Sequence, residues 1–221
     1  MKNDFFERDI EGVPDVFQKL SIISINSERY LKGELDIIDS SGKIWESYQV
    51  EIRGSQDYPK AFPKLFEVGN AFPKIAEWHV YTDDGSCCCD VTPNELLLCK
   101  NGLHVLNFIQ QFAIPYFANQ KHRELEGYYL YGEYSHGILG RIEFYQNKLK
   151  AKSPVELIRM LELIIPGFYP GRTEYCPFCH KVKFRKCHRD VFKELASIRT
   201  FINYDLQILK PFFLVNPSLL I

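Results

Sequence analysis

The order in which strand and helix signals follow one another constrains this fold more than any single motif. Two strand-like runs, residues 31–39 and 44–53, are joined by Asp39-Ser40-Ser41-Gly42, which is typical of a hairpin turn. Three prolines between residues 58 and 73 exclude a helix interior and leave room only for a short edge strand near residues 65–68. Because clear helix signals follow these strands, the sequence predicts an α+β fold.

The helical patterns differ in strength along the chain. Residues 1–30 have helix-like apolar spacing that reaches Leu20 but is interrupted by Gly12 and Pro14. Residues 103–114 are apolar on nearly all sides, which is the pattern of a buried helix. We expect Pro115 to end or distort that helix.

Two further helices are predicted in the last third of the chain. Ser153-Pro154-Val155-Glu156 combines a serine N-cap, a proline in the first turn and a capping-box glutamate, and the helix should run to about Ile165. A third helix is expected to begin near Asp190. Its apolar side would be formed by Val191, Leu195, Ile198, Ile202, Leu206 and Leu209.

Composition places the chain among soluble proteins of a reducing compartment. Its 221 residues are 46% hydrophobic with a formal charge of -1, so nothing attracts it globally to nucleic acid or to an acidic membrane. It has no run of 18 apolar residues and begins with a charged segment, so we expect no membrane span and no secretory signal. Seven cysteines in two clusters plus Cys99 favour free thiols and metal ligation, and a cytoplasmic location.

One cysteine cluster has the spacing of a zinc site. Cys176-Pro177-Phe178-Cys179-His180 is followed by Cys187-His188, and Cys176, Cys179, Cys187 and His188 are four ligands that suit tetrahedral Zn²⁺. His188 is the better fourth ligand because His180 directly follows Cys179. Unligated cysteines are the alternative. Four protein ligands leave no open position, so the zinc would be structural.

This stretch resembles the SEC-C zinc motif over about 13 residues. Lys183-Phe184-Arg185-Lys186 is similar to the basic-aromatic run of that motif, and Cys176, Cys187 and His188 keep its span. Cys179 lies one position later than the second cysteine of the motif, and the usual Gly-Ser-Gly is missing.

The other cluster is a run of three adjacent cysteines in Asp83-Asp84-Gly85-Ser86-Cys87-Cys88-Cys89-Asp90. Neighbouring side chains of an extended segment point to opposite sides, so a core cannot take all three thiols. The glycine and acidic residues indicate a turned, partly solvated loop, where a thiol can meet another molecule. We expect Cys88 to be the candidate nucleophile, Cys87 and Cys89 to pack, and Cys99 to be a small core residue.

Two histidines are candidates to orient Cys88 or to act as its base. His79 lies nine residues before it, and His136 lies in a second loop, Gly132-Glu133-Tyr134-Ser135-His136-Gly137. A catalytic cysteine needs a base or a depressed pKa, and either imidazole is able to orient the site or act as the base. The alternative for each histidine is a structural hydrogen-bonding role.

Residues 31–117 resemble the core of ubiquitin-conjugating enzymes. The resemblance rests on the strand meander, the turn Tyr58-Pro59 with Ala61-Phe62-Pro63, a histidine, and then Gly85-Ser86-Cys87-Cys88-Cys89-Asp90. That last segment is similar to the Gly-Ser-x-Cys-Leu-Asp active-site loop of the family and aligns the family cysteine with Cys88. Residues 127–137 resemble prokaryotic members found in bacterial antiphage operons, and the likeness covers about 115 residues in all.

The resemblance implies an antiparallel β-meander packed on helices and a transient thioester on Cys88. The acyl group would be the C-terminus of a ubiquitin-like protein or of a cGAS-like nucleotidyltransferase, loaded by an ATP-dependent activating enzyme and passed to an amine. We expect a conjugating-enzyme-like domain over residues 1–150 and a helical region over residues 151–221, with the zinc knuckle at about residues 174–190.

One departure from the family leaves other functions open. The family carries His-Pro-Asn before its cysteine, whereas this chain has His79-Val80-Tyr81 and no asparagine. Tyr81 or His136 would have to supply the missing donor to the oxyanion. The alternative is a catalytically silent adaptor that docks through the zinc knuckle. A zinc-dependent nucleic-acid binder using the basic residues 181–189 is disfavoured by the near-neutral charge.

Overall fold

The two strand-like runs form the middle of a four-stranded antiparallel sheet with the order β1-β2-β3-β4. The structure is a computed structural model that describes residues 4–130, 134–167 and 170–216. The strands are β1 Leu20–Ile25, β2 Glu28–Ile38, β3 Ile44–Arg53 and β4 Lys64–Glu67. The helices are α1 Asp4–Asp9, α2 Val13–Val16, α3 Thr92–Leu98, α4 Val105–Phe108, α5 Ile114–Glu126, α6 Ile138–Leu149, α7 Pro154–Ile164, α8 Arg189–Ala196 and α9 Arg199–Val215.

The predicted hairpin is confirmed and joins β2 to β3. The Asp39 carboxylate accepts hydrogen bonds from the backbone N–H groups of Ser41 (2.8 Å) and Lys43 (3.0 Å), which closes the turn. In the register that follows, Leu35 pairs with Tyr48, and both side chains are buried in the core. The expected edge strand is also confirmed, as β4.

The helix-like reading of residue 20 is wrong, because Leu20 begins strand β1. Residues 20–25 contain three isoleucines, and they pair with β2 from Leu20 opposite Gly33 to Ile25 opposite Glu28. The two-residue turn between them has φ values of 51° at Asn26 and 65° at Ser27. Positive φ at both central positions matches the right-handed twist of a two-residue hairpin. This hairpin adds β1 to the sheet, which therefore has four strands.

The long apolar helix continues through Pro115 and does not end there. It runs as α4, a π-helical segment Ile109–Ala113, and α5, and it ends at Gly127 with φ 83°. The π-helical turn directly before Pro115 is the expected distortion, since a proline removes one backbone donor and crowds the preceding turn. At the other end, the Asp9 carboxylate accepts the Val105 N–H at 2.7 Å and so caps the helix.

The core of this part of the chain lies between the sheet and the long helix. It is rich in aromatic side chains, and the rings of Tyr48 and Phe117 stack with their centroids 4.5 Å apart. Fully buried aliphatic side chains of β2 and β3, such as Leu31 and Ile52, complete it. The packing fixes the sheet face on which the long helix lies.

The C-terminal helices form a second core. Ser153 caps α7 by accepting the Glu156 N–H at 3.2 Å, as the sequence predicts. The Asp205 carboxylate, which is 1% exposed, accepts hydrogen bonds from Arg141 and from the Tyr145 hydroxyl, each at 2.8 Å. Burial raises the pKa of Asp205 in spite of these two partners, which lower it.

The third predicted helix is two helices. Helix α8 ends at Ala196 and α9 begins at Arg199, so residues 197–198 interrupt the expected continuous helix. Phe192, which is fully buried, takes the core position expected of Val191. The larger aromatic side chain buries more apolar surface, and this selects the face of α8 that packs.

The chain divides into two compact units. The first comprises residues 1–90 and 98–136, and the second comprises residues 91–97 and 137–221. The expected domains 1–150 and 151–221 stay a prediction. Among the described residues, no helix combines the length and apolar character needed to cross a membrane.

Candidate functional site

The three adjacent cysteines divide between core and surface as backbone alternation predicts. Cys87 is buried in the core, and its N–H donates to the Leu65 carbonyl at 2.7 Å. Cys89 is partly buried and packs against the same core. Cys88 is half-buried outside that core, and its N–H donates to the His79 carbonyl at 2.7 Å.

Burial also affects the pKa of the Cys87 thiol. The apolar surroundings raise the pKa of Cys87 to about 12, so this thiol stays protonated at neutral pH and is a poor nucleophile. The Cys88 sulfur lies 3.5 Å from the Asp90 carbonyl oxygen. Cys99, in turn, is fully buried, as expected for a small core residue.

The loop before the triplet is a closed turn. The Tyr81 N–H donates to the Ser86 carbonyl and the Gly85 N–H donates to the Tyr81 carbonyl, both at 2.8 Å. The Asp84 carboxylate accepts the Ser86 N–H at 2.9 Å and forms an ion pair with Lys64. Gly85 has φ 77°, a backbone conformation that glycine adopts without strain. The backbone of Tyr81 forms the base of the loop, and its side chain is exposed.

His79 ends the 3₁₀ turn Ala76–Trp78 in the left-handed conformation, with φ 51° and ψ 47°. Such a backbone is uncommon for a residue other than glycine and persists where surrounding contacts fix it. The His79 ring contacts the His136 ring with centroids 4.6 Å apart, and the Tyr129 ring at 5.0 Å. The structure therefore brings the two predicted histidines together, although they are far apart in sequence.

Tyr129 and Gln120 lie beside these histidines and were not predicted as site residues from the sequence. The Tyr129 hydroxyl donates to the Gln120 side-chain oxygen at 3.1 Å, and Gln120 is 2% exposed. One sequence signal pointed to Gln120. It lies three and four residues after Phe117 and Tyr116, so it is a polar residue on the buried face of a helix. Residues 131–133 of the neighbouring segment lie outside the described residues.

The second cysteine cluster is built on a short hairpin. Tyr175 pairs with Lys183 in an isolated antiparallel bridge, and the Cys176 N–H donates to the Val182 carbonyl at 2.8 Å. At the tip, the His180 N–H donates to the Cys176 carbonyl at 2.9 Å, and His180 takes a left-handed φ of 52°. This tight turn folds the chain back so that Cys179 faces Cys176.

Three sulfurs converge on one point. The ligand atoms of Cys176, Cys179 and Cys187 all lie within 4.8 Å of one another, and the sulfurs of Cys179 and Cys187 are 3.6 Å apart. All seven cysteines of the chain are free thiols. The three converging thiols form a group able to bind a metal ion.

His188, the N-cap residue of α8, lies beside two of the three sulfurs. Its Nδ1 lies 3.2 Å from the Cys176 sulfur and 3.0 Å from the Cys187 sulfur. Its Nε2 lies 2.8 Å from the Leu149 carbonyl oxygen, which only accepts hydrogen bonds. In the neutral ring the proton therefore belongs on Nε2, and the Nδ1 lone pair faces the sulfurs.

Different surroundings give Cys179 and Cys187 different proton affinities. Backbone N–H groups of Lys181 and Val182 point at the Cys179 sulfur and lower its pKa to about 7. Burial and then the neighbouring sulfurs raise the pKa of Cys187 to about 12. One thiolate is thus stabilised by the hairpin itself, while a cation is needed to hold all three sulfurs deprotonated together.

Comparisons with protein-family models, with curated proteins and with solved structures found no match to this chain.

Proposed function

We propose that the chain is a cysteine acyltransferase of the ubiquitin-conjugating type, with Cys88 as the nucleophile. The observation that carries the proposal is the division of the triplet. Only Cys88 lies outside the core, and its backbone is bonded to His79, whose ring contacts His136. A reactive cysteine needs access and a base, and the two histidines are the candidates for that base.

The order of elements supports the same proposal. A four-stranded antiparallel meander is followed by a turned loop with the candidate nucleophile and then by a long buried helix. Ubiquitin-conjugating enzymes, which residues 31–117 resemble, are expected to have this order. Fold alone does not define a reaction, so the site residues carry the functional claim.

The proposed reaction has two acyl transfers. The Cys88 thiol gives its proton to a neutral imidazole or to water, and the thiolate attacks the carbonyl carbon of a donor thioester. A new carbon–sulfur bond forms, the donor bond breaks, and the donor thiolate takes up the proton. In the second step an amine attacks the Cys88 thioester, forms an amide and releases the Cys88 thiol.

Two residues are candidates to stabilise the oxyanion in the place of the family asparagine. His136 is the stronger candidate because its ring contacts His79. Tyr81 is exposed at the base of the loop. The donor thioester would be formed by an ATP-dependent activating enzyme. The acyl group would be the C-terminus of a ubiquitin-like protein or a cGAS-like nucleotidyltransferase, in antiphage defence.

A peptide thioester tests the first transfer without the unknown activating enzyme. The protein is incubated with a short peptide that ends in Gly-Gly and carries a mercaptoethanesulfonate thioester. We expect a thiol-cleavable adduct on Cys88 that persists in Cys87→Ala, disappears in Cys88→Ala and discharges when free lysine is added. An adduct of equal yield in Cys88→Ala would refute the proposal.

We propose that the second cysteine cluster holds a structural Zn²⁺ through Cys176, Cys179, Cys187 and His188. A tetrahedral site places two sulfurs about 3.7 Å apart and a sulfur and nitrogen about 3.5 Å apart. The observed 3.6 Å and 3.0–3.2 Å are close to these spacings. The Leu149 carbonyl orients the imidazole, as partners of zinc-bound histidines do. Bound zinc would tie the hairpin to the start of α8.

Elemental analysis tests the metal. We expect about one zinc per chain in the purified protein and a lower melting temperature after a chelator removes it. A metal-free preparation of unchanged thermal stability would refute this part of the proposal.

A catalytically silent adaptor is the second candidate, because His79-Val80-Tyr81 lacks the family asparagine. Its docking surface would be the knuckle. Lys181, Lys183, Arg185 and Lys186 are exposed there, and none has an ion-pair partner within the part of the chain that the structure describes. The adaptor function predicts that Cys88→Ala keeps biological activity, whereas loss of Cys176 and Cys187 abolishes it.

A further inference from the structure

Gln120 is a buried polar side chain of α5 that contacts the turn carrying His79. Its Nε2 donates to the Trp78 carbonyl at 2.8 Å, and its Oε1 accepts from the Tyr129 hydroxyl at 3.1 Å. A carbonyl oxygen only accepts, so the nitrogen of the amide must face Trp78. The Tyr129 hydroxyl accepts in turn from Arg123 at 2.8 Å. A chain of hydrogen bonds therefore runs from Arg123 to the Trp78 carbonyl.

Side chains of helix α5 contact three successive carbonyls of this turn. Arg123 donates to the Glu77 carbonyl, and Gln120 donates to the Trp78 carbonyl. The Tyr116 hydroxyl lies 3.2 Å from the Trp78 carbonyl and 3.1 Å from the His79 carbonyl. Backbone carbonyls in a 3₁₀ turn of three residues have few partners of their own, so these side chains fix the turn.

The same turn determines where the His79 ring lies relative to Cys88. His79 is held in the left-handed conformation, and its carbonyl accepts the Cys88 N–H at 2.7 Å. Loss of the Gln120 hydrogen bond would leave the Trp78 carbonyl with only the longer contact to the Tyr116 hydroxyl and would let the turn relax towards a more common backbone conformation. That relaxation would move the His79 imidazole while the core around Cys87 stayed in place.

We propose that Gln120 is a positioning residue for the reaction of Cys88, acting through the turn that presents the His79 imidazole. This inference rests on the proposed role of Cys88. The competing explanation is that Gln120 only satisfies buried polar groups, in which case its loss would lower stability without acting through His79.

The substitution Gln120→Met tests the inference because it keeps the size of the side chain and removes both hydrogen bonds. We expect the second-order rate of Cys88 acylation by the peptide thioester to fall by at least about tenfold, since small displacements of a reacting group have effects of this order. Gln111→Met is the matched control, because Gln111 is an exposed glutamine in the π-helical segment that precedes α5 in the same long helix. The control should acylate at the wild-type rate.

A double-mutant cycle separates positioning from stability. His79→Asn removes the imidazole, and asparagine tolerates the left-handed backbone of residue 79. If Gln120 acts through the imidazole, Gln120→Met should have little further effect on the rate in the His79→Asn protein. An equal loss in both backgrounds would overturn the inference, and so would a wild-type rate in Gln120→Met.

A second variant covers the case in which Gln120→Met does not fold. Gln120→Glu keeps the acceptor for Tyr129 but places a carboxylate against the Trp78 carbonyl, and the same cycle applies. Wild-type protein that forms no Cys88 adduct would refute the proposed function and this inference together. An adduct in the wild type with no rate change in the Gln120 variants would refute the positioning role alone.

Discussion

The two cysteine clusters of this chain contain three cysteines each, but their side chains are arranged in opposite ways. In the loop at residues 87–89 the thiols are adjacent, and the backbone sends Cys87 and Cys89 to the core and Cys88 away from it. In the knuckle the cysteines are separated by turns, and the sulfurs of Cys176, Cys179 and Cys187 converge to within 4.8 Å. The spacing of the cysteines therefore decides whether their side chains diverge or their sulfurs converge.

The two clusters also differ in how their surroundings change the pKa of a cysteine. Apolar burial raises the pKa of Cys87 to about 12 and leaves it an inert thiol. At the knuckle, backbone N–H groups lower the pKa of Cys179 to about 7, which favours the thiolate that a metal requires. The loop thus directs one of its three thiols away from the core, whereas the knuckle brings together three sulfurs that are able to bind a cation.

The largest effect should come from removing a knuckle ligand. Cys176→Ser is expected to abolish zinc binding and to destabilise the second unit by several kcal/mol, because metal binding free energy is folding free energy at such sites. Zinc content by elemental analysis and the thermal unfolding curve measure both effects.

The matched control is Cys99→Ser, which changes a buried cysteine outside the cluster. It should keep the zinc even where it lowers stability. Equal zinc content in Cys176→Ser and wild type would break the distinction between the two cysteine regions.

A smaller effect on the free energy of unfolding should distinguish Cys87 from Cys88. Cys87→Ala removes a buried side chain and should lower the free energy of unfolding by about 1–2 kcal/mol. Cys88→Ala should change it by less than about 0.5 kcal/mol, because Cys88 lies outside the core. Urea unfolding of both variants measures the difference, and equal costs would contradict the assignment of Cys87 to packing.

The buried thiol also predicts a pH dependence. The pKa of Cys87 is raised from 9.0 to about 12, so the folded state binds the proton more tightly than the unfolded state. Its contribution to stability is complete below pH 9.0 and should decline by about 1.4 kcal/mol per pH unit as the pH rises towards 12. The decline is measured as the difference between wild type and Cys87→Ala. A pH-independent difference would contradict it.

The smallest effect should come from the loop surface. The ion pair between Lys64 and Asp84 is partly exposed, so Lys64→Gln should cost less than about 1 kcal/mol and less still at high salt. Unfolding in low and high salt provides the measurement. A cost as large as that of Cys176→Ser would mean that the loop, like the knuckle, depends on a single strong interaction.

Most of the fold prediction came from the alternation of side chains along strands and from the residues typical of turns and helix caps. The hairpin at Asp39, strands β2 to β4 and the capped start of α7 at Ser153 follow local rules, and the structure confirms them. Strand β1 was missed because the positive φ values at Asn26 and Ser27 leave no clear sequence signal without the usual glycine. The break between α8 and α9 was missed because apolar periodicity continues across it.

Much less of the candidate site was accessible from sequence. The local division of Cys87, Cys88 and Cys89 follows from backbone geometry, and the structure confirms the packing of Cys87 and Cys89. The contact between His79 and His136 joins residues 57 positions apart, which no local rule predicts. The chemical role of Cys88 and the identity of the metal stay predictions.

Site-resolved alkylation of the native protein tests the central claim most directly. Iodoacetamide labelling at neutral pH, read by peptide mass spectrometry, ranks the reactivity of all seven cysteines in one experiment. We predict that Cys88 is labelled first, that Cys87 and Cys99 are labelled only on unfolding, and that Cys176, Cys179 and Cys187 become labelled after a chelator is added. Labelling of Cys87 or Cys89 as fast as Cys88 in the native protein would contradict the account.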